Sequence, residues 1–345
     1  MNKQLRSILL VAVLGLIAIL VVWQYPFSSQ TSLTQVVKQW QPKKNHPANV
    51  SFSHDGTMLA VTNTLSKDIH IFSVPEYNLI RTFGKTGEAQ HIAFSPDNKT
   101  LAIGSNFSRL DENRNSIRLW DIKSAEVLWE PPGFIDGSKN ENDVRALAFS
   151  PDGRSLLASL VSNHSKDSFH LFLIDMEKKT TKRFSKSYSA SIAFSPSGDF
   201  VVSAGYDGVH MWTASGERLV WEQPLQDKNK PGWKTPINKV VFSPDGSRLL
   251  VSANGIVTII SAADGKINAT LPVKPKYETI ADFSPNGKYI VVASDQLWIL
   301  DASSLKVVEE IELPKNAISI SFNPNGRFFS VGTYSGYVVA VEFVN

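Results

Sequence analysis

Apolar residues alternate with polar ones at every second position along most of the chain, and one such alternating stretch returns seven times. Val144, Ala146 and Ala148 run at period two into FSPDGRSLL (149–157), and close relatives stand at 92–105 (IAFSPDNKTLAIGS), 192–204 (IAFSPSGDFVVSA) and 240–252 (VVFSPDGSRLLVS). Period-two alternation is the mark of a strand with one buried face. The phrase's phenylalanine falls at Phe52, Phe94, Phe149, Phe194, Phe242, Phe283 and Phe322, with gaps of 42, 55, 45, 48, 41 and 39 residues. Between the two apolar runs of each copy, proline presets the first central turn position, Asp or Asn suits the next, and glycine takes the left-handed one. Asn98 in place of glycine, and Asn286 and Asn325 in place of Asp, obey the same chemistry, while His54 and Ser197 are looser variants. Each copy therefore predicts a tight β-hairpin.

A third strand is predicted after each hairpin, as in SIRLWDI (116–122), FHLFLID (169–175), GVHMWTA (208–214) and DQLWILD (295–301). A fourth follows it, as in EVLWEPP (126–132), RLVWEQP (218–224) and KVVEEIELP (306–314). Four short strands per unit at a period of about 40–50 residues are the pattern of β-propeller blades. The last copy stops after its third strand, and its missing partner stands at the other end of the sequence. QVVKQWQP (35–42) reads like KVVEEIELP, and Val36 precedes Phe52 by 16 residues, much as Val307 precedes Phe322 by 15. The expected fold is all-β: a seven-bladed β-propeller over 31–345, in which the N-terminal outer strand completes blade seven and closes the ring, removing the edges that an open stack of sheets would present.

Trp120-Asp121 and the stretch SAGYDGVHMW (203–212) carry a resemblance to the WD-repeat family of seven-bladed propellers, and it covers residues 33–345. Divergent bacterial relatives, the TolB-like propellers among them, share the F-S-P-D-G hairpin. The family's Gly-His is reduced to Gly84-Lys85, and Asp207 lacks the histidine that typical members place with it, so their hydrogen-bonded tetrad is not expected here.

The first thirty residues break the pattern. Lys3 and Arg6 precede an unbroken apolar run from Ile8 to Trp23 with no acid, followed by Tyr25 and Phe27. Such a segment is a signal anchor or a signal peptide. Interfacial aromatics extend the run, and Phe27 spoils the obvious cleavage position, which favours one transmembrane anchor helix. Positive residues at its start keep that end cytoplasmic and send everything beyond residue 30 across the membrane, into the periplasm in a bacterium. A cleaved segment would release a soluble periplasmic or secreted propeller. Without Lys3 and Arg6 the net charge of +3 becomes +1, which leaves no electrostatic footprint for nucleic acid. Cysteine is absent, so disulfides and thiolate metal sites are excluded.

The copies disagree in four connections. From outer strand to next phenylalanine the distance is usually 15 or 16 residues, but it is 22 from Val127 to Phe149 and 23 from Leu219 to Phe242. From hairpin phenylalanine to third strand it is 18 in blade four, against 26 from Phe94 to Trp120 and 25 from Phe149 to Ile174. Because strand direction alternates within a blade, all four insertions are expected on one face of the disc. They carry Phe107, Arg109, Asp111, Arg114, Trp129, Phe134, Asp136, Lys139, His164, Lys166, Lys230 and Trp233. Aromatics and arginines set among mixed charges suit a protein-binding surface.

No catalytic motif competes with that reading. GKT at 84–86 lacks the upstream glycine of a phosphate loop, where Leu79 stands, and lies between strands. DENRNS (111–116) begins like a calcium loop, but Ser116 and Ile122 replace its glycine and its bidentate glutamate. The seven histidines have no metal-ligand spacing, and GTYSG (332–336) centres on tyrosine rather than a nucleophilic serine. No cofactor or metal is expected. The expected function is a membrane-tethered, monomeric binding module or scaffold for a protein or envelope component. The competing reading is an enzyme or small-molecule receptor that uses the central channel.

Overall fold

The computed structural model describes residues 32–42, 48–63, 68–84, 86, 88–106, 117–131, 142–162, 169–185, 189–225, 237–253 and 255–344. Among these residues there are strands and turns and no helix, and the compact unit is Thr34–Asn345. The apolar run at 8–23 lies outside the described residues; among the described residues no helix is long and apolar enough to cross a membrane.

Seven antiparallel sheets of four strands make seven blades. The inner strands are Ala48–Phe52, Glu88–Phe94, Asn142–Phe149, Ser191–Phe194, Ile237–Phe242, Ile280–Phe283 and Ala317–Phe322. Each ends on the phenylalanine that marks the repeat. Every inner strand packs against the next, and the seventh against the first, so the blades form a ring around a central channel. The closing strand is the expected one: Thr34–Trp40 pairs antiparallel with Val338–Phe343, with Thr34 opposite Phe343 and Trp40 opposite Val338. Where each outer strand meets the third strand the register shifts by a bulge, as at Ile71/Phe72, Met211/Trp212 and Val36/Lys38. Bulges of this kind twist an exposed edge away from further pairing.

The core lies between blades rather than in one central mass. Phe83 of blade one meets Trp120 of blade two edge to face at 5.7 Å, and Leu101, Ile69 and Ile71 pack around them. Burying a side chain of this size stabilises by about 1.5–3 kcal/mol. The same layer recurs with Leu156, Phe172 and Ile117 between blades two and three.

Each hairpin turn is locked by its own side chains. In blade three, Ser150 Oγ donates to Asp152 Oδ1 at 2.6 Å, Ser155 N donates to Ser150 Oγ at 2.9 Å, and Arg154 N donates to Asp152 Oδ1 at 3.0 Å. These donors favour the charged carboxylate, so hydrogen bonds hold Asp97 and Asp152 below the usual range and Asp245 at about 2. The turns also touch one another around the ring. The prolines Pro96, Pro151, Pro196 and Pro285 lie against Gly153, Gly198, Gly246 and Gly326 of the following blades, within 3.5 to 3.9 Å of where a Cβ would stand.

The circle is completed by polar contacts from blade seven to blade one. Ser319 Oγ accepts from Val50 N at 3.1 Å, Ser321 Oγ accepts from Phe52 N at 3.0 Å, and Asn323 Nδ2 donates to Gly56 O at 2.8 Å. On the rim, Trp40 packs on Phe72 and Tyr77 at 5.5 and 5.3 Å, and Lys38 Nζ donates to Tyr77 O at 2.9 Å. Burial, with the Glu342 carboxylate adding to it, pushes the Tyr77 phenol up to about 12.

Candidate functional site

Strand direction decides which connections share an end of the disc. Inner strands run toward the S-P-D-G hairpins, so second-to-third and outer-to-inner connections emerge at the opposite end. The four long connections are bounded there by Asn106 and Ile117, Trp129 and Asn142, Ser162 and Phe169, and Gln223 and Ile237. Of the twelve residues singled out by sequence, Trp129 is described. Phe107, Arg109, Asp111, Arg114, Phe134, Asp136, Lys139, His164, Lys166, Lys230 and Trp233 lie outside the described residues.

Trp129 closes the outer strand Val127–Trp129 and is partly buried against the core shared by blades two and three. Lys179 Nζ stands over its ring at 4.9 Å. Next to it, Glu130 Oε1 accepts from Arg118 Nε at 2.8 Å, and the Arg118 side chain is 6% exposed. Pro131 is buried as well. The chain therefore enters the 132–141 connection from a strand end fixed by an ion pair, a cation–π contact and packing. The other long outer-to-inner connection also starts from packed residues: Trp221 Nε1 donates to Ala262 O at 2.9 Å, and Leu225 packs on the core of blades four and five. Loops mounted on rigid strand ends are the usual carriers of recognition.

Blade four corrects one expectation. Asp207, expected to stand without a histidine, has His210 Nε2 3.9 Å from its carboxylate. His210 comes from the blade's own third strand and stacks on Trp212, whose Nε1 donates to Ser203 Oγ at 3.0 Å. The approach of His210 to Asp207 comes from the blade's own third strand, not from the position at which the family places its histidine.

The inner strands bring together ionisable groups that no motif signalled. Lys239 of blade five reaches across the channel wall: its Nζ donates to Asp282 Oδ2 of blade six at 2.8 Å and to Ile320 O of blade seven at 3.0 Å. On the other side, His91 of blade two faces Arg145 of blade three. Burial, then the Arg145 charge, lowers His91 to about 4, which leaves the imidazole neutral at ordinary pH. Arg145 lies 3.7 Å from Asp143 through Nη2, while its Nε is buried without a hydrogen-bond partner. Lys239 and Asp282 satisfy each other and join three blades, so they act as a brace. Among the described residues no three His, Asp or Glu side chains are grouped to hold a metal.

Comparison with known proteins agrees with this architecture. A family model of the WD domain, G-beta repeat, matches residues 129–168 and 181–210. Each matched stretch begins in or beside one blade's outer strand and runs into the next blade, the same one-strand offset that closes the ring. The chain is 24% identical over 332 residues to eukaryotic translation initiation factor 3 subunit I of Aspergillus terreus, covering 85% of this chain and 90% of that protein. It is 27% identical over 208 residues to the transcriptional corepressor LEUNIG_HOMOLOG of Arabidopsis thaliana, covering 59% of this chain but 23% of that protein's length. An uncharacterized WD repeat-containing protein of Synechocystis sp. is 26% identical over 216 residues, covering 62% of this chain and 52% of the other. The chain carries WD repeats and folds as a seven-bladed β-propeller, an architecture typical of protein-interaction modules.

Proposed function

We propose that this propeller is a protein-binding module or assembly scaffold whose recognition surface is the end that carries the four long connections. The observation that supports the reading is the common placement of their strand ends, from Asn106/Ile117 to Gln223/Ile237, at the end opposite the hairpins. The residues assigned to that surface are the twelve named from sequence, with Trp129 as a packed anchor and the others as contact residues. The partner is a protein or envelope component. The apolar run at 8–23 tethers the propeller to a membrane, with Lys3 and Arg6 cytoplasmic and the disc on the other side. The test is crosslinked co-purification from the native host with the full-length chain, beside a variant with 106–115 and 131–142 cut to short turns. A partner retained by the first and lost by the second supports the reading; the same partners with both overturn it. Carbonate extraction and protease accessibility in intact cells check the tether and its sidedness.

A second reading, a small-molecule receptor or enzyme centred on the channel, draws on His91 and Arg145. It requires a ligand contact at those two residues, because Lys239 and Asp282 are engaged with each other. Substitution of Arg145 that abolishes ligand binding, with the loops intact, would favour it.

A further inference from the structure

At the hairpin end, away from the long connections, a cleft of about 570 Å³ opens between blades six and seven, a volume in the range of ligand-binding clefts. Its two rims are the turns at Asn286 and Asn325, the two consecutive copies that carry an amide where blades one, two, three and five carry Asp55, Asp97, Asp152 and Asp245. The exchange leaves the turns intact. Asn286 Oδ1 still accepts from Ser284 Oγ at 2.7 Å and from Lys288 N at 3.0 Å, and Asn325 Oδ1 accepts from Arg327 N at 2.8 Å. It changes what faces outward: a carboxylate's second oxygen becomes an NH2 donor, and neither NH2 has a partner among the described residues.

The rest of the lining points the same way. Lys288 is exposed and its ammonium has no partner among the described residues. The one carboxylate among the described lining residues, Glu342, is spent: Oε1 accepts from Arg327, Oε2 accepts from Gln35 Nε2 at 2.8 Å, and its side chain is 11% exposed. Arg327 is held in place by that pair yet remains 65% exposed, which leaves guanidinium donors for a ligand. The wall is aromatic, with Tyr289 and Phe343 stacked at 5.2 Å and 15°. The equivalent cleft between blades two and three, about 420 Å³, is lined instead by Asp97 and Asp152 with no cation. Two equivalent clefts of one repeat thus have opposite electrostatic character.

We infer that the cleft between blades six and seven binds an acidic peptide segment bearing an aromatic residue, at a site separate from the long-connection end. A surface whose unspent charges are positive and whose two turn amides present NH2 groups selects a chain of acceptors: carboxylates for Lys288 and Arg327, backbone carbonyls for the two amides. A ring for the Tyr289–Phe343 wall completes the match. This inference does not depend on the loop-end reading.

The test is fluorescence anisotropy with the full-length chain in detergent and a labelled hexapeptide alternating Asp and Tyr, beside a Lys/Tyr hexapeptide. The expected result is saturable binding of the acidic probe that weakens as salt is raised, with the basic probe at least tenfold weaker. The double substitution N286D/N325D restores the turn residue of four other blades, so the melting temperature should hold while affinity for the acidic probe falls at least tenfold. Lys288→Glu, on an exposed side chain, should do the same. Equal binding of the two probes, no saturation below millimolar protein, or unchanged affinity in both variants would overturn the inference. The loop-shortened variant should bind the probe like the parent, which separates this site from the one proposed above.

Discussion

The backbone N–H of His54 donates to Asn98 Oδ1 at 2.7 Å, and these two residues stand where other copies of the repeat have proline and glycine. At four other junctions of the ring a turn proline lies against the next blade's turn glycine, as Pro96 does against Gly153. Between blades one and two both members are changed, and a hydrogen bond replaces the packing contact. Asn98 keeps the left-handed backbone at φ 58° that the turn requires.

Asn98→Gly keeps that conformation and loses the bond between blades, a cost of about 1 kcal/mol. Asn98→Ala loses the bond and strains the backbone, a cost of about 2–3 kcal/mol. The double change His54→Pro, Asn98→Gly rebuilds the usual pair and should recover most of the loss. Urea unfolding of the four proteins checks the order.

Ring closure predicts a rescue. Gly56 has φ +71°, and a Cβ there would stand 2.3 Å from Asn323 Oδ1. Gly56→Ala should therefore destabilise by about 2–4 kcal/mol through strain and overpacking. Asn323→Ser, which restores the serine of the other six turns, removes the clash but not the strained φ. Thermal unfolding of the double variant should recover part of the loss, and no recovery would show that the contact is not where the damage arises.

Acid sensitivity should come in two stages. His91 is lowered to about 4 in the folded protein, so below its ordinary 6.5 the unfolded chain takes up a proton that the folded chain refuses. Stability therefore falls as pH drops from 6.5 to about 4, by at most about 3 kcal/mol, and this group contributes nothing further below. The depressed turn carboxylates act in the same direction at lower pH: their contribution is present above the ordinary carboxylate range and lost as pH falls through their folded values, at about 2 for Asp245. Melting curves against pH should show both stages, and His91→Gln should abolish the first while leaving the second.

Lys239 and Asp282 are 43 residues apart and meet at 2.8 Å, each side chain only about a fifth exposed. Lys239→Met leaves a half-buried carboxylate without its partner and should cost about 2–3 kcal/mol. Adding Asp282→Asn should return about 1 kcal/mol or more of that, which a double-mutant cycle in urea measures. A strictly additive pair would contradict the brace.

How much of this was legible in the sequence follows from what is local. Phenylalanine at the end of each inner strand and the turn chemistry depend on neighbours in sequence, the missing outer strand shows as a repeat left one strand short, and each appears in the structure as read. The meeting of His54 with Asn98, of Lys239 with Asp282, or of Ser319 with the backbone of Val50 depends on which blades adjoin and how deep each residue sits. Spacing alone carries no such information. Asn286 and Asn325 were readable as tolerated turn residues because Asn and Asp serve the turn equally. They differ only toward solvent, and only adjacency in the ring makes that difference a donor-lined cleft. For the long connections, length revealed the shared end, and Trp129, read as part of the contact surface, is partly buried against the core of blades two and three.

The central claim is that recognition occurs at the long-connection end, and photocrosslinking tests it most directly. A photoreactive residue placed in turn at His164 and Lys230, within two of the long connections, and at Asp199 and Asp264, on the hairpin end, tests both surfaces in the native host. Discrete partner adducts from the first two positions and none from the second two are the predicted result. Adducts to the same partner from Asp199 or Asp264, with none from His164 and Lys230, would contradict it.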